Sequence, residues 1–177
     1  MQAQDKPSES QWAQLREAQL QVSKTIPQTG LVTTIDVGEA DNIHPKDKTT
    51  VGHRAALLAL ERWYGKPVEG ESPWCASARV KGNKVHLKFK NLDGGLASPG
   101  GGPVTGFALA GEDQVFYWAQ AQIDRGGVLV WSDQVPHPAE VRYGWADNPV
   151  CNLFSRGGLP AGPFRLSLGS PKGTSKP

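Results

Sequence analysis

Two cysteines and one methionine in 177 residues leave little sulfur to build with. The two cysteines are not at metal-ligand spacing, and by themselves they decide nothing about compartment. Cys75 and Cys151 are read as two buried thiols, with a Cys75–Cys151 disulfide as the alternative. No apolar run approaches the roughly 20 residues that a membrane helix needs. The opening MQAQDKPSESQ has no apolar core of the secretory kind. The chain is therefore either cytoplasmic or a piece whose targeting signal lies elsewhere, and its localisation stays open. Charge of one sign is also lacking. Nineteen Lys and Arg against 17 Asp and Glu give a formal charge of +2 without a basic cluster, so no electrostatic footprint for nucleic acid is present. The four histidines, His44, His53, His86 and His137, form no pair at metal-ligand spacing, and neither metal nor cofactor is expected.

What is plentiful is glycine, 21 residues, and proline, 14, interleaved with Val, Phe, Trp and Tyr. That texture belongs to a turn-rich β region. The first third differs. Ser8 followed by Gln11 suggests a capping box, and Trp12, Leu15, Ala18 and Val22 then recur at helical spacing. Pro27 and Gly30 close that helix, and LVTTIDV after them is composed like a strand buried on both faces. A second helix is predicted from Lys46 to Tyr64, with Val51, Ala55, Leu58 and Arg62 on an apolar stripe and Gly65 and Pro67 at its end. Pro45 suits the first helical position and sets His44 at or near the N-cap.

From Pro67 the period changes to two. A hairpin turning at Gly82-Asn83 places Val85, Leu87 and Phe89 on one face and Lys84, His86 and Lys88 on the other. VTGFALA, QVFYWAQAQI, GVLVWS and AEVRYGWA are further short strands, and together they indicate an antiparallel β-sandwich. The expected organisation is α/β plus all-β: residues 1–66 as the carboxyl-terminal part of an α/β domain, 67–170 as the sandwich, and 171–177 as a mobile tail. A lone strand without neighbours exposes ladder groups and apolar surface, so self-association is expected.

The stretch DNIHP, residues 41–45, falls between the predicted strand and the second helix, where open α/β sheets gather catalytic groups. Acyl transfer by a serine needs an imidazole to carry the proton and a carboxylate to orient it. Asp41 and His44 have the types and spacing for those roles. From spacing alone the alternative is an Asx turn at Asp41 and a capping histidine at His44. Asp36, at the strand end, and Asp47, in the first helical turn, are the other carboxylates near by. His53, with Arg54, reads as a solvated helix residue.

Three separated blocks, WAQLREAQ, TGLVTTIDVGEADNIHPKDKTTVGHRAALLALERWYG and VRYGWADNPVCNLFSRGGLPAGPFR, resemble the carboxyl-terminal portion of the sialate O-acetylesterase family, a branch of the SGNH hydrolases. The likeness runs from about Trp12 to Arg165. It implies that residues 1–66 end an SGNH-type three-layer α/β domain and that a β-sandwich follows. It also implies a serine esterase without a metal that removes acetyl esters from sugars, with Asp41 the orienting carboxylate and His44 the general base. Family members are often secreted or periplasmic.

The family's serine lies upstream, and no Gly-Asp-Ser, Gly-x-Ser-x-Gly or Gly-x-Ser-Asn occurs here. Ser72, Ser98, Ser132 and Ser155 stand in turn-like surroundings and lack a strand-to-helix elbow. Neither cysteine has a cationic or helix-start neighbour to lower its pKa. The expectation is the carboxyl-terminal portion of an acetylesterase acting on acetylated carbohydrate, which supplies the His and Asp of the triad and lacks the Ser. The alternatives are a non-catalytic β-rich module that binds carbohydrate or packs against a partner, and one chain of a split esterase whose nucleophile lies on a separate chain. Tyr143 and Trp145 share one strand face and are weak candidates for stacking on a sugar, against ordinary core packing.

Overall fold

The computed structural model describes residues 6–169. The tail at 171–177, expected to be mobile, lies outside the described residues. Helix α1 spans Gln11–Thr25 and α2 spans Lys48–Arg62. Both start one or more residues away from the predicted caps. Ser10, not Ser8, accepts the Ala13 N–H of α1 at 3.0 Å. Asp47, not His44, accepts the Thr50 N–H of α2 at 2.9 Å. The reason is reach: an N-cap oxygen bonds the N–H two or three positions on, and Ser10 and Asp47 are the side chains at that offset. The Thr50 bonds, backbone first and hydroxyl second, hold the Asp47 carboxyl below its ordinary range.

Helix α1 lies on the body of the protein by a face that hydropathy does not mark. Ala13 is buried, whereas Trp12, Leu15 and Val22 are about half exposed. Polar side chains make the attachment. The Ser10 hydroxyl donates to Asp147 at 2.6 Å, Arg16 donates to the Ala146 carbonyl, and Arg165 forms a fork with Glu17 at 3.0 and 2.9 Å. The predicted apolar stripe points outward.

The LVTTIDV segment corrects the expectation of a strand. Residues 31–34 belong to no strand and form no β-bridge, and a turn follows. A strand exists through its ladder, and among the described residues no second chain segment is placed to supply one. The segment is threaded instead between α2 and the β region. A Cβ on Gly30 would come within 2.8 Å of Leu58, and one on Gly144 within 3.2 Å of Ile35.

The β region contains β1 (Trp74–Lys81), β2 (Lys84–Lys90), β3 (Leu96–Ala97), β4 (Phe107–Ala110), β5 (Phe116–Trp118), β6 (Gln120–Asp124), β7 (Gly127–Trp131), β8 (Glu140–Tyr143), β9 (Phe154–Ser155) and β10 (Phe164–Ser167). Two four-stranded antiparallel sheets form, ordered β1-β2-β7-β6 and β10-β8-β4-β5, with β3 and β9 as a short extra pair. Gly82 takes φ of +63° in the two-residue hairpin turn, a conformation in which a Cβ is strained. Lys81 then pairs with Lys84, and the register buries Val85, Leu87 and Phe89 while His86 and the lysines of β2 face solvent. QVFYWAQAQI, expected as one strand, is two. Its chain leaves the second sheet after Trp118 and enters the first at Gln120.

One core joins the sheets. Val85, Leu87, Phe89, Val128 and Val130 meet Phe107, Leu109, Val141, Tyr143 and Phe164, and Phe89 crosses to Phe164 edge-on at 6.0 Å. Side chains of this size stabilise by about 1.5–3 kcal/mol each when fully buried. The β region thus closes around its own core. The helices do not, and each contributes only one or two buried side chains.

Candidate functional site

The loop from Gly38 to Lys46 is organised by Glu39. Its carboxylate accepts the Lys46 N–H at 2.8 Å and the Asn42 side-chain amide at 3.2 Å. Asn42 Oδ1 in turn accepts the His44 N–H at 2.9 Å. This is an Asx turn centred one residue after Asp41. Three bonds to two short side chains fix the backbone at His44 and deliver the chain to the Asp47 cap.

Within that frame Asp41 and His44 are both exposed. Among the described residues their side chains share no hydrogen bond or ion pair. Asp41 borders a cleft of about 770 Å³, and His44 does not line it. The cleft runs past the unpaired 31–35 segment, the Trp12, Arg16 and Leu20 face of α1, and Trp74 at the start of β1. Asp36 is committed elsewhere. Arg54 of α2, 6% exposed, grips it with both guanidinium ends at 2.7 and 2.6 Å and also donates to the Thr33 carbonyl at 2.9 Å. Asp47 is committed to its helix cap. Of the three nearby aspartates, Asp41 keeps a carboxylate free to orient an imidazole.

Arg54 corrects the expectation of a solvated pair with His53. His53 is exposed, but Arg54 turns inward and ties α2 to Thr33 and Asp36 just before the loop. Neither Glu39 nor Arg54 was singled out from sequence. The signal for Arg54 was a cation next to Ala55 on a helix otherwise rich in Ala and Leu. Glu39 offered none beyond its distance from Asn42.

The remaining candidates fall in other surroundings. Tyr143 and Trp145, the weak sugar-stacking candidates, are 1% and 5% exposed. Tyr143 packs on Phe107 at 4.7 Å between ring centres and its hydroxyl accepts the Leu153 N–H at 2.9 Å. Trp145 lies beneath Arg165 and Arg142. Ser155 and Ser132 are buried; the first accepts the Leu159 N–H and the second donates to the Trp118 carbonyl. Ser72 borders the cleft, and Ser98 accepts from the Asn152 amide. Both cysteines carry free thiols. Burial pushes the Cys75 thiol up to about 12 and the Cys151 thiol up to about 11, so neither is a thiolate near neutral pH. Among the described residues no three His, Cys, Asp or Glu side chains converge as a metal site, and no helix is long and apolar enough to cross a membrane.

The loop therefore has the groups for proton transfer at an exposed position and no activated nucleophile beside them. No protein-family model matches the chain, and no curated protein matches it. Among solved structures it is similar to a carbohydrate acetylesterase from Xanthomonas citri, with a TM-score of 0.86 and 44% sequence identity over 92% of this chain. The chain spans 38% of the length of that protein, and the two share this fold over the matched part.

Proposed function

We propose that the chain supplies the histidine and aspartate of a serine-dependent carbohydrate O-acetylesterase of the sialate O-acetylesterase, SGNH-hydrolase type. The observation that carries this reading is the 44% identity to a carbohydrate acetylesterase over nearly the whole chain, with Asp41 and His44 mounted on a backbone fixed by Glu39 and Asn42. A serine from a further polypeptide segment attacks the acetyl carbonyl while His44 takes its proton. Collapse of the tetrahedral intermediate breaks the ester bond, and His44 returns the proton to the departing sugar oxygen, which leaves as the free hydroxyl. Water then releases acetate from the acetyl-serine by the same relay. Asp41 holds the imidazole in its tautomer and offsets its transient charge.

The cleft fits a role as the seat of that segment. The Thr33 and Thr34 carbonyls are already taken by Arg54 and Val37, whereas Leu31 and Val32 stand in no ladder, and Asp41 stands at the cleft margin. A segment laid along Leu31 and Val32 pairs with their backbone groups. His44 turns inward at that point, as apo catalytic contacts often tighten on assembly.

The test joins this chain to the remainder of the Xanthomonas citri protein by co-expression. The chain alone is expected to resist a fluorophosphonate serine probe and to leave 4-nitrophenyl acetate intact. The assembled pair is expected to take the probe and hydrolyse the ester. A purified pair that stays inert, or a chain that is labelled alone, contradicts the proposal.

A further inference from the structure

A second cleft, of about 620 Å³, lies against β5, β6 and the turn after β7, and shares no lining residue with the cleft beside Asp41. It forms where the chain switches sheets, because β5 and β6 are the edge strands of the two sheets. Val115 and Trp118 line it and are 47% and 41% exposed. Phe116 beside them is already covered by the Arg142 guanidinium, 3.6 Å from its ring centre. Gln120, Asp133 and Gln134 line the same cleft, are exposed, and have no side-chain hydrogen-bond partner among the described residues.

We propose that this cleft binds an oligosaccharide. A pyranose ring has a C–H face and a rim of hydroxyls that both donate and accept. The indole of Trp118 suits the first. Two primary amides and a carboxylate suit the second, because each amide presents donor and acceptor side by side and the carboxylate accepts from two neighbouring hydroxyls. A phosphorylated or nucleic-acid ligand calls for clustered cations, and the lining holds one lysine, Lys6, against one aspartate. A small apolar ligand calls for enclosure, and four of the lining side chains are polar and open to water. The inference goes beyond the acetylesterase reading. It gives the β-sandwich a glycan-holding site of its own that needs neither the serine nor His44.

Calorimetric titration of the whole chain with cellohexaose, xylohexaose and sialyllactose, after a screen on a printed oligosaccharide array, tests this. At least one oligosaccharide is expected to saturate a single site. Trp118→Ala is expected to weaken that binding about tenfold or more, the size of a lost aromatic contact. Trp118→Phe keeps most of it, Gln134→Ala weakens it, and His44→Ala binds as the native chain does. Absence of saturable binding across the array overturns the proposal. So does binding undiminished in a folded Trp118→Ala, or binding lost with His44→Ala. If Trp118→Ala does not fold, undiminished binding by the exposed variant Gln134→Ala overturns it instead.

Discussion

Replacing Arg54 with methionine removes three hydrogen bonds and one of two charges from the base of the candidate loop. The side chains of Arg54 and Asp36 are 7% and 20% exposed, so the surviving carboxylate is left with little water to replace its fork. Breaking a buried pair from one side costs about 3–5 kcal/mol, and the partial exposure of Asp36 places this one at about 3. For a chain of this size about 3 kcal/mol corresponds to roughly 6–12 °C in midpoint temperature. Circular dichroism melting and urea titration read both quantities. The companion variant Arg54→Met with Asp36→Leu removes the stranded charge and is expected to recover most of the loss, because apolar replacement of a whole buried pair is often nearly neutral. A single variant that loses less than about 1 kcal/mol, or a double variant no more stable than the single, refutes the assignment.

Two further outcomes follow from buried polar groups elsewhere. Tyr143→Phe leaves the Leu153 N–H without its acceptor in the core and is expected to cost about 1–3 kcal/mol by urea titration, whereas a neutral effect means that another acceptor reaches it. Burial pushes Cys75 to about 12 and Cys151 to about 11, so at pH 8 both thiols are protonated, Cys75 buried and Cys151 half-buried. A disulfide reagent such as Ellman's is expected to titrate them slowly in the folded chain and at once in urea. Fast native reaction at both contradicts that burial.

How far the sequence carried these conclusions depended on where each element finds its partners. The β1–β2 hairpin was legible because Gly82-Asn83 and the alternation of Val85, Leu87 and Phe89 are local, and the same residues bury their own face. The strand from 31 to 37 was not, because composition marks a segment as suited to a sheet while the ladder depends on a neighbour. Helix α1 formed where its periodicity pointed, yet its contacts run through Ser10, Arg16 and Glu17 instead of Trp12 and Leu15. Hydropathy has no term for such polar docking. In the site, Asp41 and His44 stood out by type and spacing. The grip of Arg54 on Asp36 spans 18 residues and the Glu39 bond to Lys46 spans seven, and both are set by tertiary placement.

The central claim is that His44 is the general base of an esterase completed by a serine from outside these 177 residues. Its most direct measurement is the rate of acetyl-ester hydrolysis by the assembled enzyme with and without His44→Ala. Loss of a triad member that acts as a unit lowers turnover by on the order of a millionfold, so the account predicts a fall to near the uncatalysed rate with assembly intact. An assembled His44→Ala enzyme that hydrolyses the ester within a few-fold of the native rate contradicts it.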